Sequence, residues 1–381
     1  MRSYSRYLII LALCLVVSLV ACGTEPAPTE LPRPVPTTAP EPFESPLEPF
    51  SSPLPTTVQG GESAPEALKG DLILFTSNRD GGSAYYVMKP DGSAVTEIPF
   101  AGAPAVVLGP NWVPALNRFI FSGRTDNGQD IYLTDWAGIA YTNLTQTTDW
   151  VEIKANVSPD GKWVALDCAQ ADPDVCLIGS DGSGWRQMSG PPVWDSTPVW
   201  APDSQRIAFV SNAEGISDVY VMGLSDEEPR KLTLDKGRHT APDWSPDGSL
   251  IAYQGDAAGV WDIWTIPPDS GEPTNLTQNL ASDENPRWSP DGQWIAFYSN
   301  RDGNWEIYVM TADGQNPRNV SQSPESTETA IVWSPDSQTL LFVSDIDGNL
   351  DIYAVHIDGS GKVNLTQNPA DDAAPIWIQV D

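Results

Sequence analysis

Histidine is almost missing from this chain: His239 and His356 are the only two in 381 residues. A multi-histidine metal centre is therefore excluded, and the His-Glu-x-x-His zinc motif has no place. No Gly-x-Ser-x-Gly elbow and no phosphate-binding Walker loop occurs, so hydrolase and nucleotide chemistry find no motif. Basic residues are scarce as well, 20 Lys and Arg against 51 Asp and Glu, for a formal charge of −31. Nucleic acid needs clustered cations, so this balance argues against it, and against direct contact with anionic lipid. Many of the acids (Asp91, Asp160, Asp181, Asp247, Asp291, Asp313, Asp358) precede glycine in turns. Solubility and turn chemistry explain them first, and a cationic ligand or basic partner second. Beyond residue 30 no amphipathic helix is legible.

What is present is a recurring phrase. It reads Trp200-Ala201-Pro202-Asp203, Trp244-Ser245-Pro246-Asp247, Trp288-Ser289-Pro290-Asp291 and Trp333-Ser334-Pro335-Asp336, with a degenerate copy at Val157-Ser158-Pro159-Asp160. Trp112 opens the series and Trp377 closes it, and subtracting neighbours gives steps of 45, 43, 44, 44, 45 and 44 residues. A constant period near 40–45 residues matches a four-stranded propeller blade. Within the unit from Trp288, Ser289-Pro290-Asp291-Gly292 is a turn and Trp294–Tyr298 a β-rich run. Asn300–Asn304 then reads as a hairpin turn, Glu306–Met310 as a second strand and Asn319–Ser321 as the start of a third. Short β-rich runs split by Asp-Gly signals predict an antiparallel meander.

The strand near Phe75, Phe121, Leu166, Phe209, Tyr253, Phe297 and Phe342 recurs seven times. The next strand, near Tyr86, Tyr132, Leu177, Tyr220, Trp264, Tyr308 and Tyr353, also recurs seven times. The fold expected is all-β: a seven-bladed β-propeller of four-stranded antiparallel blades, closed by the C-terminal strand around Trp377, with six blades as the alternative. Closure of this kind removes sheet edges.

The phrase Trp-Ser-Pro-Asp-Gly, followed by Ile-Ala-Phe, Ser-Asn-Arg-Asp-Gly and Ile-Tyr-Val-Met, resembles the WD40-like (PD40) repeat of TolB-type β-propellers, most fully over residues 288–310. The resemblance runs from about Asp71 to Asp381 and marks the fold more than the function, because function sits on loops grafted onto blades. The family's namesake carries an α/β domain ahead of its propeller, where this chain has a proline-rich segment. Related propellers also cap prolyl-oligopeptidase-type hydrolases, and no hydrolase segment is expected here.

The N-terminus supplies the domain plan. Met1, Arg2 and Arg6 make a basic start, and Tyr7–Val20 is apolar. Leu19-Val20-Ala21-Cys22 resembles a bacterial lipobox, so residues 1–21 read as a lipoprotein signal peptide with lipidation expected at Cys22. Residues 22–70 are rich in proline and read as an extended stalk; 71–381 is the propeller. Cys168 and Cys176 lie on the two strands of one expected hairpin, and an exported protein would join them as a disulfide.

Binding residues are sought where the repeat varies, in the segments before each Trp phrase. These hold Trp150, Glu152, Trp194, Asp195, Arg238, His239, Asp283, Glu284, Glu328, Asp371 and Asp372. Read as loops converging near a central channel, they would offer Trp150 and Trp194 for stacking and carboxylates for a cation or basic peptide; solvated loops with incidental aromatics are the alternative. His239 is the only histidine among these loops. A weaker candidate is a calcium loop at Asp345, Asp347, Asn349 and Asp351. An EF-hand would need glutamate at its twelfth position, where this chain has His356. The Asn-x-Ser/Thr tripeptides at Asn143, Asn275, Asn319 and Asn364 share one repeat position and read as repeat grammar, not glycosylation.

The resulting expectation is a monomeric, extracytoplasmic lipoprotein held at the membrane through Cys22. It has no catalytic residues and no cofactor beyond the calcium candidate. Its propeller is a non-catalytic scaffold for an envelope protein or peptide, with a carbohydrate-binding or carbohydrate-cleaving envelope protein as the alternative.

Overall fold

A computed structural model describes residues 68–380 apart from 101–105, 126, 127, 139, 171, 189–192, 258 and 327. The expected signal peptide, Cys22 and most of the expected stalk lie outside these residues.

Among the described residues the elements are strands, apart from short 3-10 turns such as Pro114–Leu116. The strands form five sheets of four and one of eight. The eight-stranded sheet is two meanders joined by a single parallel pair, Gln129 opposite Val151. Counted as meanders, seven four-stranded antiparallel units follow one another along the chain. The sixth runs through Asp283–Trp288, Trp294–Ser299, Glu306–Thr311 and Arg318–Asn319. The first is completed by the C-terminal strand Asp372–Val380, which pairs antiparallel with Gly70–Ser77, from Gly70 opposite Val380 to Ser77 opposite Asp372. The first and last described strands are thereby paired in one sheet, and the fold is an all-β propeller.

The repeated phrase works at both ends of its length. In its turn, Ser245 Oγ donates to Asp247 Oδ1 (2.7 Å) and accepts from Leu250 N (3.0 Å), while Gly248 takes φ 72°. That left-handed conformation suits glycine. Each Trp ends the first strand of its meander and packs into apolar layers between neighbouring sheets. One such layer joins Ala252 and Ile263 to Trp288, Ile295, Phe297 and Tyr308. Three of the four indole nitrogens of the phrase reach across to the preceding meander: Trp200 Nε1 donates to Asn156 O (2.8 Å), Trp244 to Val199 O (3.2 Å) and Trp333 to Arg287 O (3.0 Å). The spacing of Trp is thus the spacing of inter-sheet contacts.

One expectation needs correction. The segments before Trp are strands, not loops: Asp195–Trp200, His239–Trp244, Asp283–Trp288 and Thr329–Trp333. Proline within them argues against a strand, because it cannot donate to the ladder. The three that contain proline absorb it in a bulge, where the register shifts, as between Ser196 and Val199 or Glu284 and Arg287, and Thr329–Trp333 bulges at the same place without one. The residue before the proline or its equivalent is left-handed: Gly109, Lys154, Thr197, Ala241, Asn285, Ala330 and Ala374 all have φ between 51° and 61°. Bulges of this kind re-aim the side chains that follow.

Candidate functional site

Antiparallel pairing places the chemistry at one end of each sheet. Asp195 opens its first strand opposite Ser211, the last residue of the second, and Ser211 faces Asp218, the first residue of the third. The second-to-third hairpins and the connections between meanders therefore share one end, called here the loop end. The Ser-Pro-Asp-Gly turns and the turns into the fourth strand occupy the opposite end.

Several candidate residues prove to be interior. Glu152, Asp195, His239, Asp283, Glu328 and Asp372 stand at one repeat position, and all are buried. Asp283 receives Arg301 Nη2 at 3.0 Å on both oxygens and Asn279 Nδ2 at 2.5 Å. Asp372 receives Arg79 Nη2 at 2.9 Å and Asn368 Nδ2 at 2.7 Å. Glu328 Oε1 accepts from Ser326 Oγ (2.7 Å) and Ser344 Oγ (3.2 Å), and Glu152 Oε1 from Thr147 Oγ1 (2.8 Å). Burial raises the Glu328 carboxyl above its ordinary range and pushes Glu152 up to about 7. His239 takes the acid's place in the fifth meander, with Nδ1 2.9 Å from Asp218 Oδ1 and Nε2 3.1 Å from Asp235 Oδ1. The ladder serine opposite is there Gly255, because a Cβ would lie 2.9 Å from His239 Cδ2. These groups clamp the chain; they are not presented to solvent.

A second set of buried acids went unrecognised in the sequence. Asp130, Asp174, Asp218, Asp262, Glu306 and Asp351 stand at or near the start of the third strand, all buried. Where the fourth strand carries the Asn-x-Ser/Thr tripeptide these acids hold it; in the third and fourth meanders Asp174 instead accepts from Gln187 and Asp218 from Thr233 Oγ1 (2.8 Å). Asp262 accepts from Asn275 Nδ2 (2.8 Å) and Thr277 Oγ1 (3.2 Å), Asp351 from Asn364 Nδ2 (3.0 Å) and Thr366 Oγ1 (2.8 Å). A fourth strand of only two residues gains its anchorage from these carboxylates. The recurrence at 44, 44, 44, 44 and 45 residues was the available signal.

The remaining candidates lie nearer the surface. Trp194 is 38% exposed. Trp150 is half-buried and meets Trp185 edge-on at 5.8 Å. Arg238 is exposed, pairs with Asp256 (2.8 Å) and lies over the Trp261 ring at 4.9 Å. Asp371 is exposed, whereas Glu284 is half-buried and its carboxyl is raised by that burial. The calcium candidate dissolves into separate contacts. Asp347 Oδ2 accepts from Tyr353 Oη (2.5 Å) and Asn364 Nδ2 (3.1 Å), and Asn349 Nδ2 donates to Ala370 O (2.8 Å). No group of three or more metal-ligating side chains occurs among the described residues. Cys168 and Cys176 form the expected disulfide, Cα atoms 5.8 Å apart.

The loop end also carries apolar side chains. The exposed large hydrophobics among the described residues are Val95, Val151, Trp194, Ile216, Leu234, Leu280, Ile346 and Val363. All but Val95 and Val363 belong to the loop end by their place between strands or, for Val151, at the first residue of one. Leu234 is 82% and Leu280 97% exposed.

Comparison with known proteins agrees with this architecture. A family model described as the TolB beta propeller domain matches residues 156–279 and 196–331. A TolB homologue of Chlorobium luteolum is 30% identical over 161 residues, 42% of this chain and 36% of that protein. The chain thus spans little more than a third of its relative's length. TolB from Acinetobacter baumannii superposes with a TM-score of 0.51 at 17% identity, over 81% of this chain and 82% of that one. An oligogalacturonate lyase in complex with manganese reaches 0.63 at 16% identity, over 75% and 85%. At such identities the likeness is one of fold. The described chain has an all-β propeller fold, and residues 156–331 within it are similar to the TolB beta propeller domain.

Proposed function

We propose that this protein is a non-catalytic binding scaffold of the cell envelope, held at the membrane by lipid on Cys22, whose loop end docks a protein or peptide. The observation that carries this reading is the sorting of side chains. The repeat-position acids are turned inward as clamps, while Trp194, Ile216, Leu234 and Ile346 stand exposed at one end of the sheets. Apolar groups gathered on one surface and rimmed by polar residues mark interaction sites. Exposed acids near this end, including Asp371 and Glu214, favour a partner that is basic around an apolar centre. Disulfide-bonded Cys168 and Cys176 suit an oxidising, extracytoplasmic compartment. The non-catalytic reading is supported by the enclosure of His239 between two carboxylates and by the place of His356 at the opposite end.

The test is capture of partners by the propeller, compared with a variant carrying Trp194→Ser, Ile216→Ser, Leu234→Gln and Ile346→Thr. A protein retained by the parent and lost by the variant, at equal thermal stability, supports the reading. Equal retention by both rejects the loop end as the docking surface.

A further inference from the structure

The fifth meander, built from His239–Trp244, Ile251–Gly255, Asp262–Ile266 and Thr274–Asn275, differs from the sixth and seventh at one place. In the sixth and seventh, two ties close the groove between the hairpin and the connection that follows the fourth strand. The first tie is a tyrosine whose hydroxyl donates to a hairpin aspartate. Tyr308 donates to Asp302, and Tyr353 to Asp347 at 2.5 Å. Asn319 and Asn364 donate to the same two carboxylates at 2.8 and 3.1 Å. The second tie is a hairpin asparagine reaching the connection's carbonyls: Asn304 to Ser323 O (3.1 Å) and Ser326 O (2.9 Å), Asn349 to Asn368 O (3.1 Å) and Ala370 O (2.8 Å).

Both ties are lost together in the fifth meander. By repeat alignment the tyrosine becomes Trp264, the aspartate Ala258 and the asparagine Val260. The carbonyls that match those of Asn368 and Ala370 belong to Asn279 and Ala281. Neither accepts from a side chain among the described residues. The groove is larger: about 620 Å³, lined by Val260, Trp264, Leu280, Asn275, Gln278 and Asp262 among others, against about 410 Å³ for its counterpart in the seventh meander. Leu280, 97% exposed, forms part of its wall.

From this geometry we propose that the fifth-meander groove is a binding site for a neutral sugar. A sugar ring has an apolar face suited to an indole and an aliphatic wall, and a rim of hydroxyls that donate and accept. The groove supplies an indole, two aliphatic side chains, carboxamides and two backbone carbonyls whose counterparts the sixth and seventh meanders use up internally. A volume near 600 Å³ lies within the range of small-molecule sites. Asp262 in the lining and the net charge of −31 disfavour an anionic sugar. An extended peptide has little strand edge to join, since the fourth strand here is two residues long. This site is separate from the docking reading above, and Leu280 is left intact in the variant that tests that reading.

The experiment is calorimetric titration of the protein with three soluble neutral hexaoses: β-1,4-glucose, α-1,4-glucose and β-1,4-N-acetylglucosamine. Binding of at least one in the millimolar range or tighter is expected, at saccharide concentrations up to about 10 mM. A variant restored to the sister residues, Ala258→Asp, Val260→Asn and Trp264→Tyr, should bind at least about tenfold more weakly, a difference of about 1.4 kcal/mol. Its melting temperature should be equal or higher, because the two ties return. Leu280→Asn, at a fully exposed position, should also weaken binding without touching stability. Absence of binding to all three sugars, or binding unchanged in the restored variant, overturns the proposal. So does loss of a captured protein partner from the restored variant when no sugar binds, which would make the groove part of the protein interface.

Discussion

Replacing Asp283 with asparagine sets the clamp reading of the buried acids against the ligand reading. Asp283 is fully buried and takes both contacts from Arg301, whose side chain keeps 24% exposure and lies 4.5 Å from the Tyr308 ring centre. Asparagine keeps the size and removes the charge. Arg301 is then left half-desolvated over an aromatic ring without its counter-ion, and Asn279 loses a charged acceptor. Breaking a buried pair costs about 3–5 kcal/mol when the remaining charge has no escape. Arg301 can swing partly into water, so the expected cost is at the lower end, about 3 kcal/mol. At roughly 2 °C per kcal/mol for a domain above 200 residues, the melting temperature should fall by about 6 °C. Arg301→Met should fall by a similar amount, because it strands Asp283. The double variant should be much less destabilised than the sum, with a coupling energy of about 2 kcal/mol in a double-mutant cycle read by urea unfolding. A coupling energy under about 0.5 kcal/mol would refute the reasoning.

Three further outcomes follow from named contacts. Trp333→Phe removes the bond from Nε1 to Arg287 O at 3.0 Å and should cost about 1–2 kcal/mol, measurable as a lower urea midpoint with unchanged slope. Removing the Cys168–Cys176 disulfide, which closes a sequence separation of 8, should cost about 2.5 kcal/mol, seen when the Cys168→Ala/Cys176→Ala variant is unfolded beside the parent. Glu152 has a folded pKa of about 7 against an ordinary 4.5, so the unfolded chain gives up its proton first and this group's contribution to stability falls as pH rises between those values. Glu152→Gln should therefore gain on the parent in unfolding free energy between pH 5 and pH 8, by about 3 kcal/mol at most; a difference that stays flat with pH counts against the burial argument.

The fold was legible because its signal is periodic. Trp, Pro, Asp and Gly each perform a fixed local task once per repeat, and their spacing survives variation elsewhere. The first strand was harder to read, because Thr197-Pro198 and Asn285-Pro286 look like chain breakers until the bulge is known. The same bulge decides which residues face inward, since a one-residue slip exchanges the two faces of a strand. Asp195, Asp283 and Asp372 thus read as loop carboxylates, although their recurrence every 43–45 residues, with Glu152, His239 and Glu328, matched the period of the structural residues. Trp194 was legible as an exposed aromatic, because its neighbours break from the repeat. Leu234 and Leu280 were passed over, since a single apolar residue in a polar connection carries no sequence signal without knowledge of its exposure. The fifth-meander groove rests on paired changes, Tyr to Trp and Asn to Val, whose joint meaning appears only when the two positions are seen to face one groove.

The most direct test of the account pairs two variants in one measurement: retention of the captured partner by Asp283→Asn and by the loop-end variant of Trp194, Ile216, Leu234 and Ile346, each held below its melting temperature. The account predicts that Asp283→Asn melts lower and keeps the partner, while the loop-end variant melts like the parent and loses it. Loss of the partner from Asp283→Asn at full stability, with retention by the loop-end variant, would contradict it and return the carboxylates to the binding face.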